Sequence, residues 1–502
     1  MRSQVVARIR TVVSAGAGAP LEPCSRAGPL FLALPSHSAF PPAALRRLRL
    51  PALAAGLLLA LALLPYRFTD GDSCLYAALA HEMAAEGAWV APTWAFEGKR
   101  ACFHEHPPGG YWAAAALEGL GLGDAAAARV ANAAALLALV AAVWWLAGPG
   151  AAAGGLGPLT AALLLLHYPL WKYALRFGLE LPFAACAVAC FAAARRPGRG
   201  GAALAGLALA GAFLTRGAFG FAVPPLLLLD ALRDGASLRA VARRMAAIGA
   251  AALVPLLLFD LAHAASTGHS FWLAYLEKQV LPSLAADGTP HANRGPTWLY
   301  YGGRLLLYTQ PWTLLAAALL LRAQRTLRGS GRRPASLALA LAPDRRLAAA
   351  WIAIFFVGIA LAHREGSRYL VVAYPASAWL AAIALRGAWL RAGAAARRRV
   401  ATAALFLPAL LVGAKHLTTP ADAWWRSAGA LREAREVLAG EVVFGPFAAH
   451  DDRAKQFLRH HGAIPAYSGA APPGALSWQA AAEPAPPGRE VVLETELFRL
   501  LR

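Results

Sequence analysis

Runs of about twenty apolar residues recur along this chain, separated by short clusters of arginine. Twenty residues of helix cover about 30 Å, the thickness of a bilayer's hydrocarbon core. Such runs lie near 50–66, 125–147, 156–174, 178–194, 201–215, 217–232, 246–263, 297–321, 347–362, 369–385 and 400–416. With 58% hydrophobic and 15% charged residues among 502, the chain is too apolar for water to be its main solvent. The expected fold class is an all-α polytopic membrane protein of about eleven spanning helices. The pair of runs on either side of Thr215 and Arg216 also fits one broken helix.

The formal net charge of +21 does not point to nucleic acid, because the arginines form no single patch or helix face. They fall between alternate apolar runs: Arg46, Arg47 and Arg49; Arg195, Arg196 and Arg199; Arg239, Arg243 and Arg244; seven arginines from Arg322 to Arg346; and Arg397 to Arg399. The positive-inside rule puts these loops in the cytoplasm. Eleven crossings from a cytoplasmic start leave the C-terminus outside, so charge and parity agree. Residues 1–49 read as a disordered cytoplasmic segment without a cleavable signal peptide, 50–416 as the transmembrane domain, and 67–124 as its first outer loop. Residues 417–502 read as a small outer α/β domain, with short strands at "EVVFG", "IPAYS" and "REVVLET" and a helix at 451–461.

The five cysteines, Cys24, Cys74, Cys102, Cys186 and Cys190, match no zinc or redox spacing. Cys186 and Cys190 are one helical turn apart in an apolar run and read as small core residues. Cys74 and Cys102 share the outer loop, a compartment where a disulfide between them would persist.

Ionisable side chains at membrane depth are costly and therefore mark candidate sites. Lys172, Arg176, Glu180, Arg216, Asp260, His263, Arg304, His363, Arg364, Glu365 and Arg368 all fall near outer helix ends. A single charge there commonly snorkels to the headgroups, but a whole set on one face argues for a site. The outer loop adds Asp70, Asp72, His104, Glu105 and His106. Its stretch from Ser73 to Glu86 suits an amphipathic helix with Asp70 or Asp72 at its start, and Pro107 and Pro108 open a further helix that Trp112 anchors at the interface.

These residues carry a resemblance. The sequence is similar to membrane glycosyltransferases of the C superfamily (GT-C), in the branch of protein O-mannosyltransferases and lipid A aminoarabinose transferases, glycosyltransferase families 39 and 83. Asp72, Tyr76, Met83, Gly87, Trp89 and Pro92 match that family's first-loop pattern. His106, Pro107, Pro108, Tyr111 and Trp112 match its Lys-Pro-Pro element and aromatic pair, with His in place of Lys. In the same order follow "LELP" at Leu179–Pro182, "FLTRG" at Phe213–Gly217, "QPW" at Gln310–Trp312 and "SRYLVVAYP" at Ser367–Pro375. The resemblance spans residues 50–390.

It implies transfer of a sugar from a polyprenyl-phosphate carrier to an envelope acceptor (protein, lipid A or another glycan), with inversion, at the periplasmic face of a bacterial inner membrane. Asp72 is the implied general base, with Asp70 two residues away as the alternative. Arg368, Arg216 and His106, then Arg176 and Arg364, are the expected cations for the departing phosphate. Glu180 either orients one of these arginines or meets the acceptor, and Glu105 and Tyr76 stand beside it as acceptor-side candidates. Some relatives use a divalent metal, for which His81 with Glu82, or His104, Glu105 and His106, offer ligands, although paired histidines are more often surface residues. The expected partners are the lipid-linked sugar, the acceptor and membrane lipids. Two other readings remain open: a transporter or flippase of lipid-linked sugars, which predicts polar residues throughout the midplane, and a non-catalytic envelope partner.

Overall fold

The structure, a computed structural model, describes residues 71–96, 99–148, 156–174, 176–233, 236–284, 297–310, 343–361 and 366–393. It also describes 395–397, 399–400, 402–403, 435–438, 441–444, 464–466, 474–480, 484–494 and 498–502, with single positions 314, 318, 325 and 410. The runs expected at 50–66 and, but for a few positions, 400–416, together with residues 1–49 and the helix at 451–461, lie outside the described residues.

The chain is mostly helical. Helix α1 (Gly71–Glu86) precedes a two-stranded antiparallel hairpin, β1 (Thr93–Phe96) and β2 (Lys99–Cys102). A 3-10 turn at Pro108–Gly110 leads into α2 (Trp112–Gly119), followed by α3 (Asp124–Ala147), α4 (Leu156–Leu165), α5 (Tyr168–Ala174), α6 (Glu180–Ala194) and α7 (Gly198–Arg216). A second 3-10 turn, Gly217–Ala222, joins α7 to α8 (Val223–Arg233). Next come α9 (Leu238–Thr267), α10 (Phe271–Tyr275), a π-turn at Leu276–Val280, α11 (Leu281–Leu284), α12 (Thr297–Tyr308) and α13 (Pro343–Leu361). A third 3-10 turn, Ser367–Ala373, opens α14 (Tyr374–Arg391), and α15 (Arg435–Leu438) precedes the C-terminal strands.

Four helical stretches among the described residues are long and apolar enough to cross a membrane: Asp124–Ala147, Gly198–Arg233, Leu238–Thr267 and Ser367–Arg386. The second has 36 residues, about 54 Å if straight and too long for one span. It breaks at Gly217, whose φ of +53° suits glycine, and the Tyr275 ring lies 2.3–2.8 Å from where a Cβ would stand. The chain turns back there, since Arg216 at the end of α7 meets Glu180 at one end of α6 while Asp230 near the end of α8 meets Arg195 at the other, so the two runs form separate helices.

The run expected as one helix over 156–174 is instead two. His167 ends α4 by donating from Nδ1 to the Leu163 carbonyl, 2.8 Å away, and Pro169 enters the first turn of α5. Helix α1 also departs from expectation. Residues 73–80 are buried on every side rather than along one stripe, so the helix is enclosed by its neighbours rather than lying on a surface.

Helix α6 packs between α3 and α7, and α7 packs between α6 and α9. Small residues permit the approach: a Cβ on Gly206 would lie 2.4 Å from that of Ala251 in α9. The buried core runs continuously from α1 through α14.

The strands expected near the C-terminus are present as β3 (Val442–Phe444), β4 (Ile464–Ala466) and β6 (Val491–Glu494), joined by β5 (Leu476–Ala480) and β7 (Phe498–Leu501). They form one mixed sheet in the order β4-β3-β5-β7-β6, parallel across β4, β3 and β5 and antiparallel from β5 to β6. Strand β4 lies alongside β1, so this sheet meets the first loop.

Candidate active site

Helix α1 begins one residue before Asp72, which places that carboxylate in the first turn, where the helix dipole favours negative charge. Asp72 Oδ2 is ion-paired with Arg368 Nη1. Arg368 Nε lies 3.9 Å from Glu180 Oε1, and the same oxygen accepts a 3.0 Å hydrogen bond from Arg216 Nη1. Four charges from four segments thus form a chain: Asp72, Arg368, Glu180, Arg216. The two members at the Glu180 end are 9% and 3% exposed, whereas Asp72 and Arg368 are 38% and 35% exposed. The inner pair is a buried fixture and the outer pair is open to a ligand.

Aromatic faces hold the arginines. Arg216 stacks over Tyr369 and Phe219, at 4.9 and 5.3 Å from the ring centres, and Arg368 also lies over Tyr369, at 5.3 Å. The 3-10 turn carrying Arg368 is pinned at its start: the Tyr173 and Ser367 hydroxyls share a 2.6 Å hydrogen bond, and the Gly366 amide donates to the Tyr301 hydroxyl at 3.2 Å. Glu180 is set by a residue that the sequence reading passed over. Asn132, a lone amide within α3, directs its Nδ2 at the carbonyls of Tyr173, Ala174 and Arg176, 2.6–3.1 Å away, and so shapes the turn into α6. A polar residue inside an apolar span was the available signal.

Tyr76 is enclosed beside the chain of charges, its ring 5.3 Å from Tyr111 and 6.0 Å from His106. Burial, with Tyr111 adding to it, pushes the Tyr76 hydroxyl well above the ordinary phenol range, so it acts as a neutral donor. His106, Arg216 and Tyr369 line an apolar cavity of about 610 Å³ whose walls continue through Phe219, Tyr275 and Ile359.

Other candidates lie elsewhere. Arg176 stands in the turn between α5 and α6, and Glu105 is exposed. Asp70, His363, Arg364 and Glu365 lie outside the described residues, as do Pro311 and Trp312. Asp260 is spent on structure, accepting from the Phe271 amide at 2.8 Å and the Ser270 hydroxyl at 3.0 Å to hold the start of α10. His81 pairs with Glu118 at 2.9 Å and Glu82 accepts from Thr93 at 3.0 Å.

Two expectations are corrected. Cys74 and Cys102 are not joined by a disulfide: Cys74 points into the core from α1, while the Cys102 sulfur faces His263 Nε2 at 3.9 Å. His104 and His106 do not converge either. The His104 ring lies against those of His263 and His269, whereas His106 lines the cavity. Burial, reinforced by Lys278, His263 and His269, lowers the His104 imidazole to about 4, and burial raises the Cys102 thiol.

No protein-family model and no curated protein sequence matches the chain. Its fold does match solved structures. The crystal structure of ArnT from Cupriavidus metallidurans bound to undecaprenyl phosphate superposes with a TM-score of 0.65 at 16% identity, covering 91% of this chain and 98% of that one. The apo form of the same protein superposes with a TM-score of 0.63 over the same shares. The chain shares the fold of these ArnT structures, as the sequence resemblance implied.

Proposed function

We propose that this protein is a membrane glycosyltransferase that moves a sugar from a polyprenyl-phosphate carrier to an acceptor of the cell envelope. The observation that carries the reading is the junction of an apolar cavity of about 610 Å³ with a cluster of two arginines and two carboxylates. A polyprenyl phosphate is a hydrocarbon tail ending in an anion, and this junction offers a counterpart to each part. The fold match agrees, because that ArnT was solved with undecaprenyl phosphate bound.

The acceptor hydroxyl gives its proton to Asp72, and its oxygen forms the new bond to the sugar's anomeric carbon from the face opposite the phosphate. The carbon–oxygen bond to phosphate breaks with its electron pair passing to the phosphate oxygen, which leaves polyprenyl phosphate and an inverted sugar. Arg368 is suited to receive that charge, since its guanidinium is 35% exposed beside Asp72. Arg216 adds a second cation at the cavity wall, and His106 faces the same space. Glu180, already accepting from Arg216 and close to Arg368, acts as the orienting group for both.

In this reading the chain crosses a bacterial inner membrane about eleven times, with the first loop and the C-terminal sheet on the periplasmic side. The acceptor is protein, lipid A or another envelope glycan. The test is mass spectrometry of envelope glycolipids and glycoproteins from a deletion strain complemented with wild type or Asp72→Asn. Wild type should restore a sugar that the deletion lacks. The variant, present at equal abundance, should restore less than about one hundredth of it, the usual reach of a general base. Full restoration by Asp72→Asn would instead fit a carrier that moves the lipid-linked sugar without chemistry.

A further inference from the structure

Where α6 and α8 end and α9 begins, a second cavity of about 160 Å³ opens. Three arginines line it: Arg195 at the C-cap of α6, Arg233 in the last turn of α8 and Arg244 in the second turn of α9. Asp230 is the one carboxylate among its described lining residues, and Leu227 and Ile248 give it an apolar side.

The charges around this cavity do not cancel. Arg195 holds Asp230 through two 3.1 Å hydrogen bonds and reaches Asp344 at 2.9 Å, and Arg233 meets Asp344 at 2.6 Å. Two cations thus answer two carboxylates, which leaves Arg244 in surplus. Among the described residues its guanidinium pairs with no carboxylate, and Nη2 donates to the Arg196 carbonyl at 3.2 Å. That bond ties the start of α9 to the end of α6 and holds the guanidinium at the cavity. Arg196 and Arg199 follow Arg195, and Arg239 and Arg243 precede Arg244, all four exposed. The positive-inside rule puts every one of these loops in the cytoplasm.

Two features set the cavity at the depth of lipid headgroups. The Arg196 guanidinium lies 4.3 Å from the centre of the Trp145 ring near the end of α3, and tryptophan favours the boundary between hydrocarbon and water. Along α8, Leu228, Leu229 and Leu232 are 42–43% exposed, so an apolar surface runs beside the basic wall. A soluble anion leaves those leucines bare, whereas a lipid phosphate brings acyl chains that cover them. A zwitterionic lipid brings an ammonium that the arginines repel, so the complementary headgroup carries net negative charge.

We propose that this cavity seats the phosphodiester of an anionic phospholipid of the inner leaflet. Arg244 is its main cation, Arg195 and Arg233 are further donors, and the α8 leucines meet its acyl chains. The bound lipid bridges α6 to α8 and α9. It sits at the far end of α6 from Glu180, about 22 Å along a helix of 15 residues. The lipid takes no part in sugar transfer, so the proposal stands or falls apart from the function above.

The test uses the full chain, purified in neutral detergent, stripped of lipid and titrated with phosphatidylglycerol or phosphatidylcholine under native mass spectrometry. One phosphatidylglycerol should bind at least about tenfold more tightly than phosphatidylcholine, and Arg244→Gln should remove about tenfold of that affinity, the worth of one charge-assisted hydrogen bond. Arg243→Gln removes the same charge from the neighbouring, exposed position and should weaken binding about twofold at most. Glycerol phosphate at the same concentration should not displace the lipid. Equal binding of the two lipids, equal losses in the two variants, or displacement by glycerol phosphate would overturn the proposal and leave a basic surface without a seat. Should Arg244→Gln fail to fold, wild type decides alone. A phosphatidylglycerol bearing a diazirine beside its headgroup should label peptides within 227–248, and unlabelled phosphatidylglycerol should compete where phosphatidylcholine does not. Labelling confined to other segments sinks the site as well.

Discussion

Each end of α6 gathers two arginines and two carboxylates, and the two clusters are built differently. At the Arg195 end, Arg195 grips Asp230 with two hydrogen bonds of 3.1 Å and reaches Asp344 at 2.9 Å, while Arg233 meets Asp344 at 2.6 Å. Both arginines there hold both carboxylates in a closed ring that ties α6, α8 and α13, and Arg195 lies over Trp379 of α14. At the Glu180 end the charges form an open chain: Asp72 has Arg368 at one extreme, Arg368 approaches Glu180 only to 3.9 Å, and an apolar cavity begins at Arg216. Residue type therefore does not separate fixture from site. Closure of the pairing, and the volume it opens onto, do.

The largest effect expected is at the buried link of the open chain. Arg216→Ala breaks the buried, hydrogen-bonded pair with Glu180, which costs about 3–5 kcal/mol, and it also removes a cation from the cavity wall. Thermal unfolding in detergent should show a large loss of stability, and donor-dependent transfer should fall with it. Arg368→Lys separates the two consequences. Lysine keeps the charge and loses the fork, so transfer should drop about tenfold or more while the unfolding temperature barely moves, the side chain being 35% exposed. Equal losses of stability in the two variants would erase the distinction between the inner and outer pairs.

The sequence showed these four residues as charges bordering apolar runs, and their convergence was legible because ionisable groups at such depth are rarely accidental. The broken α7–α8 passage was also legible, since Thr215-Arg216-Gly217 interrupts a run too long for one span. The clustering of Cys102 with His263 and His269 was not. Its members are separated by more than 150 residues, and a cluster is readable from spacing only when its members share a segment. The disulfide expectation failed for a related reason: a shared compartment says that two thiols can meet but not which way a helix turns them, and α1 turns Cys74 inward. The break at His167 was legible only in part: Pro169 stood in the sequence, but the seat of the His167 ring against Tyr374, some two hundred residues away, is tertiary.

Next in size is Gly217→Ala, which sharpens the comparison at the cavity itself. Alanine at φ +53° is strained and its Cβ would meet the Tyr275 ring, so about 1–3 kcal/mol of stability should be lost. Because Tyr275 lines the cavity, the apparent KM for a polyprenyl-phosphate donor should rise more than kcat falls. A change confined to kcat would mean that the break in α7–α8 shapes the charged cluster rather than the lipid groove.

The smallest effect is expected where the ring is closed, and it is the measurement most able to break the comparison. Asp344 is 42% exposed, and if it becomes Asn, Arg195 keeps its two bonds to Asp230 and Arg233 keeps its neighbour at 3.5 Å. Solvent screens the charge that is lost, so Asp344→Asn should lower stability by under about 1 kcal/mol and leave transfer near the wild-type rate. The same chemical change at Asp72, also carboxylate to amide in a half-exposed partner of arginine, is expected to abolish transfer. Two isosteric substitutions, matched in exposure and in partner type, then differ only in whether the arginine left behind has another carboxylate within hydrogen-bonding distance and whether an apolar cavity stands beside it. If Asp344→Asn cost as much transfer as Asp72→Asn, activity would have to depend on the packing of the whole bundle rather than on the open chain of charges.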